Sequence, residues 1–155
     1  QRQMCIRDSP RTSLKTRGNV AMCGTFGYEL DPRKLTDDEK AEVKQQIADY
    51  RKYHRLVREG DFYRLVSPTE NDFYCAWEFV SPDKTEAMMT AVVMRQPETR
   101  YCVQRLRGLD PKTYYQDEET GTVYSGAMLM NAGLNLTRDV YEDGTSVTKH
   151  FKAVK

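Results

Sequence analysis

Glu29 and Asp31 are the first pair in this chain whose spacing suggests chemistry. Two residues apart on an extended strand, they share a face about 6–7 Å apart. That is near the separation of two carboxylates working on a glycosidic bond. The plainer reading is that they are solvated or capping groups beside a helix start. Asp37 and Asp38 form a second acidic pair, which the helix start that follows already accounts for.

Other reactive residue types lack partners in sequence. His54 and His150 stand far apart, and neither sits in a spaced metal-ligand motif, so no metal site is expected. His54 reads as a half-buried helix residue. The four cysteines, Cys5, Cys23, Cys75 and Cys102, are scattered without a CxxC pair, which suggests free thiols in a reducing compartment. No nucleophile elbow or phosphate loop is present. Trp77 with Tyr63, Tyr74, Tyr114 and Tyr115 could make a sugar-stacking platform. The alternative, which we favour, puts Trp77 on a core face with Phe73 and Phe79. Arg100, Tyr101, Arg105 and Arg107 mix basic and aromatic side chains as a nucleic-acid strand might, but a solvated strand face is the simpler account. Asn135-Leu136-Thr137 is a formal glycosylation sequon; without a signal peptide it carries little weight.

The elements that must carry these residues divide the chain. Residues 1–9 (QRQMCIRDS) have no helical or strand period and read as a tail or as foreign sequence. Residues 11–19 look like a basic loop ending near Gly18. Residues 20–23 are short and apolar, as a buried parallel strand would be. Gly24 and Gly27 bracket Thr25 and Phe26 in a loop able to turn tightly. The helix start is clear: Thr36 and Glu39 form a capping box, with acidic residues at the positive end of the dipole. Val43, Ile47, Tyr50, His54 and Val57 then make one stripe expected to be buried, and Gly60 is the expected stop.

From residue 61 the period becomes two. Strands are expected over residues 62–66, 73–80, 87–94, 101–107, 113–116, 122–124 and 147–154. A Pro82 turn at residues 81–84 joins the second and third, and residues 118–121 turn between the fifth and sixth. Residues 125–131 suit a short helical turn. Short strands with frequent turns point to an antiparallel sandwich.

The totals fit this division. At 155 residues there is room for one domain or slightly more. A net charge of +1 gives no electrostatic case for nucleic acid or a membrane surface. Charged residues at 30% and apolar ones at 39%, with ten tyrosines, make a folded composition. No apolar run approaches the roughly 18–20 residues of a membrane span. A strand, loop and helix cannot stand without neighbouring strands, so the chain reads as the end of an α/β unit followed by a β domain.

Several ordered motifs carry a family resemblance. They are residues 12–18 (TSLKTRG), 20–22 (VAM) and 24–31 (GTFGYELD), then 60–65 (GDFYRL), 106–111 (LRGLDP), 117–121 (DEETG) and 129–134 (LMNAGL). Together they closely resemble the end of the catalytic barrel and the C-terminal domain of bacterial α-galactosidases in glycoside hydrolase family 36. The resemblance runs from about Arg11 to the C-terminus. It implies a mainly β fold: residues 10–60 as the last strand, loop and helix of a truncated (β/α)8 barrel, and residues 61–155 as a C-terminal antiparallel β-sandwich.

The resemblance also implies retaining hydrolysis of terminal α-linked galactose, from melibiose- or raffinose-type sugars, without a cofactor. Two aspartates would do this chemistry, in motifs resembling K-W-D and S-D-D-T-D. Neither motif is in this chain, so no catalytic residue is assigned. Gly24, Thr25 and Phe26 would line the pocket wall in the intact enzyme, at the barrel end where such sites gather. The implied parent is cytoplasmic and homo-oligomeric. The competing expectation is a non-catalytic sandwich that binds carbohydrate or serves as a scaffold.

Overall fold

The computed structural model describes residues 12–28, 31–70, 73–96, 102–139 and 142–154. The tail at residues 1–9, Glu29, Arg100 and Tyr101 lie outside the described residues.

Among the described residues, eight strands follow two helices. Helix α1 spans Leu14–Ala21 and α2 spans Asp37–Glu59. The strands are β1 (Asp61–Val66), β2 (Tyr74–Val80), β3 (Glu86–Val93), β4 (Val103–Gln104), β5 (Tyr114–Asp117), β6 (Val123–Ser125), β7 (Leu134–Asn135) and β8 (Ser146–Val154). A short helix α3 (Gly126–Asn131) sits between β6 and β7, with Ser125 as its cap. Six strands form one antiparallel sheet in the order β1-β2-β3-β8-β5-β6, and β4 pairs with β7 in a separate two-stranded ribbon.

The sheet is covered on both faces. Ala76, Val80, Met89, Val93 and Phe151 point to one side, where Leu106, Leu129, Leu134 and Leu136 from the ribbon side and α3 close over them. Phe79 and Met88 point to the other side and meet Leu56 of α2. This is an antiparallel sandwich with a thin second layer on one face and helices on the other. Strands buried on both faces read as near-continuous apolar runs, and β3 (EAMMTAVV) does so.

The β2–β3 hairpin forms as its turn predicts, with Lys84 N–H donating to the Ser81 carbonyl at 2.8 Å. The capping box also forms. Thr36 N–H donates to Glu39 Oε2 at 2.8 Å, and Glu39 N–H returns to Thr36 Oγ1 at 3.2 Å.

Four expectations need correction. Residues 20–23 are not a strand, and within the expected loop at residues 11–19 the residues from Leu14 onward are helical. Val20 and Ala21 close helix α1, which starts where Ser13 Oγ accepts from Thr16 N–H at 3.1 Å. Its buried face is Thr16, Gly18 and Asn19, so tertiary contacts decide the conformation over a four-residue apolar run.

On α2, the stripe Val43, Ile47, Tyr50, His54 and Val57 is only half-buried, and the buried residues are Gln46 and Leu56. Gln46 can be buried because it is fully engaged. Its Nε2 donates to the Leu14 carbonyl at 3.1 Å and to Glu42 Oε1 at 2.8 Å, and its Oε1 accepts from Tyr28 Oη at 2.5 Å. Within the stretch 101–107, only Val103–Gln104 pair as a strand among the described residues.

Candidate functional site

The segment after α1 is built by that helix and by α2. Residues 22–24 turn out of α1, with Cys23 N–H donating to Val20 O and Gly24 N–H to Ala21 O, each at 3.3 Å. The chain then runs along α2. The Phe26 ring stacks on Tyr50 at 5.1 Å and 20°, and meets Tyr28 edge-on at 5.1 Å. Tyr28 anchors the far end through Gln46. Burial, with the nearby Glu42 charge, pushes the Tyr28 phenol up to about 12, so it stays a donor. Thus Gln46 links α1, residue 28 and α2 in one contact.

The structure separates the three predicted pocket residues. Gly24 borders a cleft of about 300 Å³ with Val20, Cys23, Phe62, Arg64 and Trp77. Thr25 is exposed, and Phe26 is held on Tyr50. Burial drives the Cys23 thiol up to about 12, and nearby Cys75 adds to this, so Cys23 is no nucleophile at neutral pH. Cys75 and Cys102 are likewise free thiols.

Of the two carboxylate pairs, Glu29 lies outside the described residues. Asp31 caps the short 3-10 turn Pro32–Lys34, accepting from Arg33 N–H and Arg33 Nε at 3.0 Å each. Asp37 and Asp38 lie in the first turn of α2 and are exposed. His54 is half-buried, with Nδ1 3.0 Å from the Arg51 carbonyl oxygen. Asn135 Oδ1 accepts from Thr137 N–H at 3.0 Å, which folds the sequon on itself.

The aromatic platform does not assemble. Trp77 packs on the helix side with Phe79, Leu56 and Met88, as the core-face reading expects. Phe73 does not join it; that ring is exposed. Tyr63, Tyr74 and Tyr115 pack into the core on the opposite face. Tyr114 is 58% exposed at the other end of the sheet order.

One buried polar cluster was invisible in sequence. His150 lies between Glu118 and Glu86, with Nδ1 2.7 Å from Glu118 Oε2 and Nε2 2.6 Å from Glu86 Oε1. It borders a second cleft, of about 460 Å³, between both helices and β8. Its partners are 32 and 64 residues away, and no local spacing announces them. Among the described residues, no group of three or more His, Cys, Asp or Glu is placed to hold a metal ion. No helix among them is long and apolar enough to cross a membrane.

Comparison with known proteins matches the chain in two parts, and the first takes in residues 7–9 of the stretch read as a tail. The family model described as glycosyl hydrolase family 36 C-terminal domain matches residues 74–151, and the one described as melibiase matches residues 7–60. The α-galactosidase AgaA of Geobacillus stearothermophilus is 50% identical over 125 residues, which are 80% of this chain and 17% of that protein. The bifunctional α-galactosidase/sucrose kinase AgaSK of Mediterraneibacter gnavus is 44% identical over 126 residues, or 81% of this chain and 13% of its own. Among solved structures, the galactosidase domain of AgaSK matches with a TM-score of 0.87 at 39% identity, covering 96% of this chain and 20% of that one. An AgaA variant in complex with 1-deoxygalactonojirimycin matches at 0.86 and 43%, with the same coverage. The chain thus spans only about a fifth or less of the proteins it matches.

Proposed function

This chain belongs to glycosyl hydrolase family 36, and from that premise we propose that it forms the end of the catalytic unit and the C-terminal sandwich of a retaining α-galactosidase. The observation that carries the reading is the continuous likeness to AgaA and AgaSK across helices and sandwich together. Likeness in the sandwich alone would leave the chemistry open.

The reaction proposed is removal of terminal α-linked galactose by double displacement. The nucleophile and acid/base aspartates would come from earlier in the parent enzyme, since the motifs resembling them are absent here. Substrates of raffinose type are proposed, because AgaA variants were solved with raffinose and with stachyose. Gly24, Thr25 and Phe26 would contribute to the wall of the pocket. Gly24 borders a cleft and Thr25 is free to turn outward, whereas Phe26 would act by bracing the loop on Tyr50. A homo-oligomeric parent is proposed on the family resemblance alone, and a cytoplasmic one on the scattered cysteines without a CxxC pair.

A chimera tests the reading. AgaA carrying residues 12–154 of this chain in place of its matching segment should hydrolyse raffinose and an aryl α-galactoside. Thr25→Ala and Phe26→Ala in that chimera should raise KM. A folded chimera with no turnover would sink the assignment. An active one indifferent to both changes would remove the loop from the pocket.

A further inference from the structure

His150 of β8 is only 6% exposed, yet it is surrounded by charge. Glu86 of β3 faces one ring nitrogen at 2.6 Å, and Glu118 of the β5–β6 turn faces the other at 2.7 Å. Tyr53 of α2 lies against the ring, with centroids 4.4 Å apart. Glu118 also accepts from Lys52 Nζ of α2 at 2.6 Å and from Tyr53 Oη at 3.3 Å, and it pairs with Lys152 Nζ of β8 at 2.7 Å. Arg55 of α2 feels the charge of Glu86.

An ionised carboxylate accepts and cannot donate. Two carboxylates on one imidazole are therefore both satisfied only when both ring nitrogens carry protons. That cation also suits the Tyr53 ring against it. Glu118 stays ionised here: burial favours its neutral form, but Lys152, Lys52 and His150 outweigh that and hold it down to about 2.

We propose that His150 is a proton-operated clamp between α2 and the sheet. With two ring protons it ties Glu86, Glu118 and Tyr53 into one unit. Loss of the Nδ1 proton to solvent turns a lone pair toward Glu118 Oε2, and the contact becomes repulsive. The remaining Nε2 proton stays with Glu86, which has no other side-chain hydrogen bond among the described residues. Glu118 keeps Lys52 and Lys152 and moves off, so the turn and the α2 side chains bound to it leave the histidine. The clamp sits across the seam between the residues matched by the melibiase model and those matched by the C-terminal domain model. Proton binding would thus set how firmly the two parts are joined. The proposal does not depend on the assignment of the reaction.

Histidine-labelled NMR on the whole 155-residue chain tests it, in a His54→Gln background because His54 adjoins Tyr53. The expected result is a His150 ring that carries both protons while Glu86 and Glu118 are in contact with it. As pH rises, the backbone signals of Lys52, Tyr53 and Glu118 should shift with the same midpoint as the ring. His150→Gln should abolish those shifts. If that variant does not fold, Glu118→Gln keeps the ring and its packing, and the Lys52 signal, which is tied to the ring through Glu118, should then cease to follow it. A ring that carries one proton while both carboxylate contacts are kept would overturn the proposal. So would a Lys52 signal that stays still while the ring titrates, or that titrates unchanged in either variant.

Discussion

Glu78 Oε2 accepts a hydrogen bond from the Arg107 N–H at 2.8 Å, while Glu78 Oε1, on the same fully buried carboxyl, meets no donor among the described residues. One oxygen fixes the segment after β4 to β2, and the other makes the ionised form costly. Burial pushes this carboxyl up to about 8, against the opposing pull of the Arg107 N–H and its side-chain charge.

The consequence is a stability that falls with rising pH. The unfolded carboxyl releases its proton near 4.5 and the folded one near 8. Below the first value the full contribution is present. It is lost as pH climbs from there through the second, because the folded state holds a proton that the unfolded state has released. The loss amounts to roughly 3–5 kcal/mol for a shift of this size. Denaturant midpoints of the wild-type chain should therefore drop between pH 5 and pH 9, and Glu78→Gln should flatten that slope. Equal slopes in the two proteins would refute it.

Lys149 gives a second prediction. Its side chain is 7% exposed, and its ammonium lies 2.5 Å from Glu119 Oε2, 3.8 Å from Asp117 Oδ2 and 3.9 Å from Asp139 Oδ1. Asp117 is itself buried and also accepts from Glu119 N–H and Thr120 Oγ1, so the cation supports the whole β5–β6 turn. Lys149→Met keeps the length and removes the charge, leaving Asp117 buried without it. The expected cost is about 3–5 kcal/mol by chemical denaturation. A loss below about 1 kcal/mol, the range of exposed pairs, would mean that water already shields this group.

The joint between α2 and β1 gives a third. Gly60 ends the helix with φ −78°, so it is not there for a left-handed turn. It is there for room: a Cβ would lie 2.5 Å from the Leu56 carbonyl oxygen and 2.9 Å from that of Val80. Both neighbours are backbone and cannot rotate away. Gly60→Ala should destabilise the chain by about 2 kcal/mol. Gly27→Ala is the control, since a Cβ there meets nothing within 4 Å. Thermal melts in which the two variants match would remove the steric argument.

What could be read from sequence was local. The Thr36–Glu39 box and the Pro82 turn were legible because their partners lie within three residues. Helix α1 was not, because its helical state rests on distant contacts. Thr16 Oγ1 and Asn19 Nδ2 both meet Ser146 Oγ at 2.9 Å, from more than a hundred residues away. Gln46 broke the apolar stripe for the same kind of reason: its polar atoms are satisfied by Leu14 and Tyr28, which α2 itself does not encode. The His150 cluster joins three elements across the sheet, so no spacing pattern holds it. The family resemblance rested on strings of residues instead; it implied the same sandwich as the strand period and shared the mistaken strand at residues 20–23.

The last prediction concerns where the chain opens first. Helix α2 touches the sheet through its C-terminal half, at Tyr53, Leu56 and Val57. Its N-terminal half rests on α1 and on residue 28 through Gln46, and its middle on the loop through the Phe26–Tyr50 stack. Strand β3 lies between β2 and β8, hydrogen-bonded on both edges and buried on both faces. Local opening is cheapest where few buried contacts hold a segment. Amide exchange into deuterated water should therefore run fastest in residues 40–46, slower in residues 54–59 and slowest in β3. If residues 40–46 exchange as slowly as β3, then α1 and the loop hold α2 as firmly as the sheet does, and the helices form one cooperative unit with the sandwich.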